Sequence, residues 1–480
     1  MNRVIGTYKR CVRSKNQFNT MKTACNLVAL TVIVLFADVL AHPTDETFED
    51  EESIVDVNTN KNDISGNADV GVKVGPLKET DETDEKKSYK GYQLWKLNVD
   101  SQNKSKVVLT LKNSNVLSTW GGNRTSIDVL ISRPNLRKVQ RSLNENLINY
   151  KVLINDLQEA IDDENPPVHP EDAELVNRQG HRMTFDSYHR LSDIHGFLDY
   201  LAKTYSTYCK VYVIGSSVQG RPLKVLRISN GNSGNKAVWV DGGMHAREWI
   251  TPATVSYIIH HMAHNYDSES HAIRSLDWYF LPVANPDGYE YAHTTDRLWR
   301  KNRARGGYCT GTDLNRNYGY QWGGAGGGKN PCQETYAGTG PFSEPETAAI
   351  RDFLQRTSQQ WRASISYHSY GQYILYPWGY DRKVPPDWSD LQKVGEEAAR
   401  AMRQTTGQYY RVGGAANTLY PASGGSDDWA KGTMKMKYTY TIELRDNGRY
   451  GFVLPASYIV PTAKEALAAL RVIGEAAAAS

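Results

Sequence analysis

From about residue 183 to the C-terminus, short apolar strands alternate with helical segments, and this pattern constrains the fold more than any other feature. Five strands are predicted in this part of the chain, at residues 223–229, 237–240, 279–283, 364–367 and 438–444. Helix start signals lie between them, at Thr251 with Pro252 and at Ser343 with Glu346, the second pair being a capping box. This alternation predicts an α/β domain at residues 183–480.

The sequence before residue 183 divides into four stretches. Residues 1–41 place basic residues before an apolar run that is too short to span a bilayer, which is typical of a secretory signal peptide. Residues 42–87 are predicted to be disordered, because residues 45–87 contain 14 acidic and 5 basic side chains. Residues 88–165, with strands at 92–97 and 126–131, are interpreted as a small α+β domain. Residues 166–182 are interpreted as a linker with candidate processing sites at Arg178 and Arg182.

Charge and cysteine content narrow the class of protein. The 56 basic and 53 acidic residues give a formal net charge of +3, so we expect no nucleic-acid partner. Removal of the signal peptide would leave Cys209, Cys309 and Cys332 in an oxidising compartment. Cys309 and Cys332 flank a glycine-rich loop and are predicted to pair, which leaves Cys209 as a buried thiol. Asn103 and Asn123 begin glycosylation sequons and are predicted to be exposed.

Side chains that can bind a metal follow two of the predicted strands. His245 and Glu248 lie in the turn after strand 237–240, and His368 ends strand 364–367. Ligands of open α/β sheets bind outside the carboxyl ends of the strands, so these three side chains are expected to converge. Two imidazoles and one carboxylate are a ligand set of catalytic zinc, which keeps a fourth position open. The His-x-x-Glu spacing alone is weak evidence, because a hydrogen-bonded turn histidine also explains His245.

Other histidines match metal-binding motifs less well. His260 and His264 have the i, i+4 spacing of a helical zinc site, but His261 stands where that motif requires glutamate. We interpret all three as helix-surface residues, and we give His189 and His195 the same interpretation.

Two further charged residues gain meaning only from their surroundings. Glu443 lies in an apolar predicted strand, where an unpaired carboxylate is costly unless it has a function. Arg300 stands in a run of basic residues, which by itself is typical of a solvated surface. Arg445 and Asp446 are interpreted as a structural ion pair.

Residues 183–480 resemble the metallocarboxypeptidases of the pancreatic carboxypeptidase A/B family. The seven matching blocks are HAREW (245–249), NPDG (285–288), WRK (299–301), DLNRN (313–317), SYHSY (366–370), ASGGS (422–426) and ELRD (443–446). Residues 89–162 resemble the inhibitory pro-domain of that family more loosely, and the acidic stretch before them is outside its usual pattern. The resemblance implies an α/β catalytic domain with a mixed, mostly parallel central sheet flanked by helices, preceded by a small ferredoxin-like α+β pro-domain.

The resemblance also implies the parts of a zinc peptidase site. His245, Glu248 and His368 would bind one Zn²⁺ per chain. Glu443 would be the general base and acid, and Arg300 would stabilise the oxyanion that forms during peptide hydrolysis.

The remaining implied roles concern the bound peptide. Asn315 and Arg316 would clamp its terminal carboxylate, which restricts cleavage to the last residue. The other residues implied to contact substrate are Tyr420, which closes over the terminus, and Arg247, Tyr370 and Phe452 in the next subsite.

Asp427 bears on which terminal residue is removed. In the resemblance, Asp427 falls at the base of the terminal side-chain pocket, where A-type enzymes of the family carry an apolar residue and B-type enzymes an aspartate. This predicts a preference for C-terminal Arg and Lys, with Gly424 and Gly425 leaving space for a long substrate side chain. The alternative interpretation is a solvated loop carboxylate.

These observations predict a secreted, monomeric zinc exopeptidase made as a zymogen. Its expected partners are peptide and protein C-termini as substrates and a trypsin-like activating protease, with no membrane association once the signal peptide is removed. Two alternatives remain within the family, namely A-type specificity for aromatic or aliphatic termini and a non-catalytic member that binds zinc or peptides. A structural or adhesive secreted protein would account for the acidic segment and the sequons, but not for the seven blocks.

Overall fold

A computed structural model describes residues 85–123, 125–167, 180–306 and 308–480. The predicted signal peptide, nearly all of the acidic segment and Arg178 lie outside these residues. Arg182 is described and its side chain is exposed. Within the described part of the chain, no helix combines the length and the apolar character needed to cross a bilayer.

The first part of the described chain is a four-stranded antiparallel sheet with three helices. Its strands are β1 (Gln93–Asn98), β2 (Ser118–Gly122), β3 (Ser126–Ile131) and β4 (Tyr150–Ile154), in the order β2-β3-β1-β4. Its helices are α1 (Gln102–Asn113), α2 (Leu136–Glu145) and α3 (Leu157–Glu164). A βαββαβ chain with this strand order has the ferredoxin-like topology. The two strands predicted here are confirmed, β1 to within one residue at each end.

The second part is built on an eight-stranded mixed sheet. Its strands are β5 (Cys209–Ser216), β6 (Pro222–Ile228), β7 (Lys236–Asp241), β8 (Leu276–Leu281), β9 (Gln360–His368), β10 (Tyr373–Tyr376), β11 (Arg411–Gly414) and β12 (Tyr438–Glu443). The strand order is β11-β10-β12-β9-β7-β8-β6-β5. The four parallel pairs are β10 with β11, β12 with β9, β9 with β7 and β7 with β8; the other three pairs are antiparallel. The predicted mixed, mostly parallel sheet is therefore confirmed.

Helices cover both faces of this sheet. They are α4 (Leu191–Thr204), α5 (Ile250–His264), α6 (His271–Arg274), α7 (Pro286–Thr294), α8 (Pro345–Arg356), α9 (Trp388–Thr406), α10 (Ala415–Thr418), α11 (Ser426–Gly432) and α12 (Ile459–Ala479). Strand β7 shows why two layers are needed, since side chains alternate between the faces of a strand. Val238 and Val240 belong to one hydrophobic cluster, while Ala237 and Trp239 belong to another.

Both helix start predictions need correction. Helix α5 begins at Ile250, one residue before Thr251, whose hydroxyl donates to the Glu248 carbonyl. The predicted capping box at α8 is wrong, because the N-cap is Glu344 and Ser343 donates to the Glu344 carboxylate. The partners of the Glu346 side chain lie elsewhere in the tertiary structure, among them the Asn302 amide and the Val218 N–H.

The cysteine predictions are confirmed. Cys309 and Cys332 form a disulfide that closes a loop with a sequence separation of 23, and Cys209 is a buried free thiol. In the chain-entropy description, a loop of this length stabilises the folded state by about 3 kcal/mol. The loop contains Asp313, Asn315 and Arg316, so the disulfide restricts a segment that contributes to the site.

Candidate active site

Three neighbouring parallel strands end at one edge of the large sheet. His368 is the last residue of β9, and in the strand register it lies opposite Glu443, the last residue of β12. On the other side of β9, strand β7 ends at Asp241 and leads into the turn that carries His245 and Glu248. The strand-end argument used on the sequence therefore describes how the fold assembles the site.

The structure brings His245, Glu248 and His368 together. One side-chain ligand atom from each residue lies within 4.8 Å of the others, and the three residues are at most 4 % exposed. His245 Nδ1 is 2.8 Å from Glu248 Oε1, and His368 Nδ1 is 3.1 Å from Glu248 Oε2. The two Nδ1 atoms are 3.1 Å apart.

This donor set fits a zinc ion. The Nε2 atoms of both histidines point away from the cluster, His245 toward Asp313 at 3.0 Å and His368 toward Ser366 at 3.3 Å. If those outer bonds hold the imidazole protons, the inner Nδ1 atoms present lone pairs to each other and to a carboxylate. Such an arrangement is repulsive until a cation lies between the groups, and zinc prefers histidine nitrogen and carboxylate oxygen.

Asp313 orients His245 and was given no role from sequence. Its Oδ1 contacts His245 Nε2, and its Oδ2 accepts bonds from Arg300 Nε at 3.1 Å and Nη2 at 2.8 Å. The nearby Arg300 and His245 hold the pKa of the Asp313 carboxyl well below its usual range despite its burial. The only sequence signal was its place in the DLNRN block, two residues before Asn315.

A second polar chain leads away from His368. Ser366 Oγ donates to Asp241 Oδ1 at 2.7 Å, and Trp239 Nε1 donates to Asp241 Oδ2 at 2.9 Å. Asp241 and Ser366 are register partners on β7 and β9, and each is 2 % exposed. Sequence reasoning missed both residues.

Glu443 and Arg300 line the same cavity as the histidines, which has a volume of about 250 Å³. Burial of the Glu443 carboxyl is the largest cause that raises its pKa, which is about 7. The side chain of Arg300 is largely buried, and its ion pair with Asp313 directs it into the site. Both residues therefore face the same cavity as the histidine cluster.

Asn315, Arg316 and Tyr420 also line the cavity. Arg316 donates to two carbonyls, those of Gly326 at 3.2 Å and Asn315 at 2.7 Å. In the described residues it has no carboxylate partner within ion-pair distance, so its charge remains available to a ligand. Tyr420 is 59 % exposed, as a side chain that closes over a ligand requires.

Asp427 is a buried carboxylate in the wall of the cavity. It lies in the first turn of α11 and, across the described ranges, forms no ion pair. Burial raises its pKa, whereas the backbone N–H groups at the start of the helix act in the opposite direction. The adjacent Asp428 differs, because it accepts bonds from the Gly379 and Tyr380 N–H groups.

The two glycines before Asp427 have separate reasons for lacking a side chain. Gly424 has φ +76°, and a Cβ there would lie 2.2 Å from the Arg316 carbonyl, so the backbone requires glycine. A Cβ on Gly425 would lie 2.6 Å from the Asp427 carboxylate. Gly425 therefore leaves room for the Asp427 side chain. Gly424 was predicted to leave space for substrate, but the structure requires glycine there because of the backbone conformation and the nearby Arg316 carbonyl.

The first part of the described chain contacts the residues that were predicted to form the subsite next to the terminal one, here called the outward subsite. Tyr370 donates its hydroxyl to Asp128 Oδ2 at 2.9 Å, although the two residues are 242 positions apart. Trp120 lies 5.1 Å from the Phe452 ring, and the Arg247 guanidinium lies 4.2 Å above the same ring. Asp128 and Trp120 thus cover this part of the cavity, and sequence reasoning assigned neither of them a role.

The remaining predicted positions have mixed outcomes. Asn103 is exposed on α1, whereas Asn123 is half-buried and lines the cavity, so the prediction of exposure is wrong for the second sequon. His264 bonds to the His260 carbonyl, and neither residue joins a metal-binding group within the described ranges. The Arg445–Asp446 ion pair is wrong: Arg445 pairs with Glu465, and Asp446 accepts three backbone N–H bonds from residues 448–451.

Comparison with known proteins identifies both parts of the chain. Residues 194–469 match the family described as zinc carboxypeptidase, and residues 95–164 match the family described as carboxypeptidase activation peptide. The chain is 41 % identical to carboxypeptidase B of Astacus astacus over 294 residues, which are 61 % of this chain and 97 % of that protein. It is 36 % identical to carboxypeptidase A1 of Sus scrofa over 405 residues, which are 81 % of this chain and 94 % of the relative.

A solved structure agrees over both parts of the chain. Carboxypeptidase A from Helicoverpa armigera is 30 % identical and superimposes with a TM-score of 0.73, covering 82 % of this chain and 98 % of that structure. Relatives named A and B are thus similar to this chain to a comparable degree, so the names leave its specificity open. The chain is a zinc carboxypeptidase with an activation peptide and belongs to the M14 family of zinc carboxypeptidases.

Proposed function

We propose that this enzyme removes C-terminal Arg and Lys from peptides and proteins. The observation that carries the proposal is Asp427, a buried carboxylate that lines the cavity without a cationic partner among the described residues. A guanidinium or ammonium group on the substrate would supply that partner. An unpaired charge in a desolvated pocket costs about 2 to 5 kcal/mol, or roughly 30-fold to several-thousand-fold in discrimination.

The terminal carboxylate of the substrate has its own candidate partners. Arg316 presents a guanidinium whose hydrogen bonds to the described residues go to carbonyls, and Asn315 Nδ2 points toward the same cavity near His368. The Asn315 side chain is oriented by its Oδ1, which accepts the Ser426 N–H at 3.0 Å. We assign these two residues to the carboxylate and Tyr420 to closure over it. Arg247, Tyr370 and Phe452 would contact the residue before the scissile bond.

His245, Glu248 and His368 would hold the zinc ion. Bound zinc would supply a Lewis acid that polarises the scissile carbonyl and lowers the pKa of water. Glu443 would accept a proton from the attacking water and return it to the leaving amine. Arg300, held by Asp313, would place positive charge beside the carbonyl oxygen as negative charge develops there.

The same proposal includes secretion and proteolytic activation. A signal peptide at residues 1–41 would direct the chain out of the cell, and a trypsin-like protease would cut after Arg178 or Arg182. Cleavage after Arg182 would leave residues 183–480 as the mature enzyme and separate them from the pro-domain of residues 88–165. The exposed side chain of Arg182 and the pro-domain contacts over the cavity support this part of the proposal.

A second specificity is favoured by the rest of the cavity wall. Leu375, Ala415, Leu419 and Ala422 contribute an apolar surface that would also accept an aromatic or aliphatic terminal side chain. In that case, the helix N-terminus would be the main stabilising influence on the Asp427 charge.

One experiment separates these specificities. The purified chain is assayed before and after limited trypsin cleavage on two matched peptides that differ only in ending in Arg or Phe, each with and without a chelator. We expect low activity before cleavage, chelator-sensitive activity afterwards, and a higher kcat/KM for the Arg peptide. Asp427→Ile should reverse the preference. The control is Asp381→Asn, because Asp381 is a half-buried carboxylate, paired with Lys383, that lies outside the lining of the cavity. Faster cleavage of the Phe peptide by the unmutated enzyme would leave A-type specificity.

A further inference from the structure

The two histidines of the metal cluster have different outer partners. His245 Nε2 meets a carboxylate directly, at 3.0 Å from Asp313 Oδ1. His368 Nε2 instead meets a hydroxyl, Ser366 Oγ, at 3.3 Å, and the carboxylate of Asp241 lies one hydrogen bond further away. The arrangement on His368 therefore has a serine inserted between imidazole and carboxylate.

The direction of these hydrogen bonds follows from the donor inventory. A serine hydroxyl has one proton, and the Asp241 carboxylate 2.7 Å away is the stronger acceptor. Because Ser366 donates its hydroxyl proton in a hydrogen bond to Asp241, Ser366 Oγ has only lone pairs to offer to His368. It therefore accepts a bond from His368 Nε2–H. Trp239 Nε1 donates to the other Asp241 oxygen at 2.9 Å and holds that carboxylate in place.

The other polar group near His368 Nε2 cannot take this role. Asn315 Nδ2 is 3.4 Å away, and it is a donor because Asn315 Oδ1 accepts the Ser426 N–H at 3.0 Å. Two donors cannot bond to each other. Among the described residues, Ser366 Oγ is thus the acceptor that faces His368 Nε2.

We infer that Ser366 and Asp241 act together as positioning residues for His368, fixing the ring orientation and tautomer that direct Nδ1 at the metal. Strands β7 and β9 make this possible, because Asp241 and Ser366 lie opposite each other in the parallel register. Ser366 and His368 are two residues apart, so their side chains share one face of β9. The three side chains are each 2 % exposed, so water does not compete with the chain.

The test measures zinc affinity rather than turnover. Zinc binding to the full-length chain is measured by competition with a chromophoric chelator, and the site is also followed by the visible absorption of bound Co²⁺. Ser366→Ala should weaken zinc binding about 10- to 100-fold, the range typical of lost outer partners of metal ligands. Ser364→Ala is the matched control, because it is a buried serine two residues earlier on the same face of β9. It should change the affinity less than about twofold.

A double-mutant cycle distinguishes a connected chain from two independent effects. Asp241→Asn preserves the shape of the side chain and should weaken zinc binding on its own. The losses from Asp241→Asn and Ser366→Ala should be less than additive, because either change breaks the same chain. Ser366→Ala and Asp313→Asn act on different histidines, so their losses should add.

Three results would overturn the inference. The first is a zinc affinity of Ser366→Ala within twofold of the unmutated chain, and the second is such an affinity for Asp241→Asn. The third is full additivity of the losses in zinc affinity from these two substitutions. Asp241→Asn decides the matter if Ser366→Ala does not fold. The inference rests on His368 being a zinc ligand, and His368→Ala tests that separately. Unchanged affinity in His368→Ala would show that the proposed ligand, and not only its support, is wrong.

Discussion

A buried ion pair between the pro-domain and the catalytic part of the chain should control how firmly the two remain together. Glu164, the last residue of α3, contacts Arg297 through two bonds, Oε1 to Nε at 2.5 Å and Oε2 to Nη2 at 2.8 Å. The two residues are 1 % and 2 % exposed. The same guanidinium donates to the carbonyls of Arg247 and Phe452 and lies 3.7 Å above the Trp249 ring.

Glu164→Gln would leave the Arg297 charge buried without a carboxylate. Breaking a buried ion pair by removing one partner costs about 3 to 5 kcal/mol. That cost falls on the docked state, because release of the pro-domain opens Arg297 to water. The equilibrium for pro-domain binding should therefore weaken by roughly 150-fold to about 4,000-fold, at 1.4 kcal/mol for each factor of ten.

The measurement uses chain that has been cut once within residues 166–182. The dissociation constant of the pro-domain is obtained from the recovery of peptidase activity on dilution, and its retention is checked by gel filtration. Glu159→Gln is the matched control, since Glu159 is an exposed glutamate in the same helix without an ion pair among the described residues. If Glu164→Gln released the pro-domain no more readily than Glu159→Gln, the ion pair would not hold the two parts together.

Two further predictions concern the metal site and the dependence of stability on pH. His245→Ala should lose zinc and activity together, whereas Glu443→Ala should keep zinc and lose about 10²- to 10⁴-fold in kcat. Zinc content and kcat are measured on each purified variant. Near-normal turnover by Glu443→Ala would contradict the role of Glu443 as the base. His195 is half-buried on α4, so its interpretation as a helix-surface residue is wrong, and burial is the largest cause that lowers its pKa to about 4. The folded state therefore binds the His195 proton less readily than the unfolded state. The free energy of unfolding should fall as the pH drops from about 6.5 to about 4. Urea unfolding across this range should show a shallower fall for His195→Gln, and parallel curves would contradict the assignment.

The parts of the site that sequence could predict are those that depend on local order along the chain. His368 was found because it follows an apolar strand, and Glu443 because a carboxylate in an apolar strand is costly without a function. Parallel strands that end at one edge bring the two residues together. The disulfide could also be predicted, because Cys309 and Cys332 flank a glycine-rich loop. Periodicity identified five strands of the large sheet but not β5, β10 or β11. Strands β10 and β11 have four residues each, too few for a pattern to emerge.

The parts that sequence could not predict depend on contacts between distant segments. Arg445 pairs with Glu465 of α12 rather than with its neighbour Asp446, because helix packing brings Glu465 to the end of β12. Asp241 and Ser366 are 125 residues apart, and only the strand register places them opposite each other. Asp128, Trp120 and Glu164 belong to the pro-domain, whose own pattern contains no information about where it docks.

The docking position explains how an activation peptide can restrain the enzyme without altering the metal cluster. Asp128 and Trp120 contact Tyr370 and Phe452, the residues assigned to the outward subsite. The hydrogen bonds and ion pairs that the described residues make to the zinc-binding side chains come from the catalytic part of the chain itself, from Asp313, Ser366, the Ser369 N–H and one another. The ligand geometry should therefore be the same before and after cleavage. We therefore expect inhibition to consist of occupying the surface where the peptide chain approaches, and to end when the contacts of Asp128, Trp120 and Glu164 are lost.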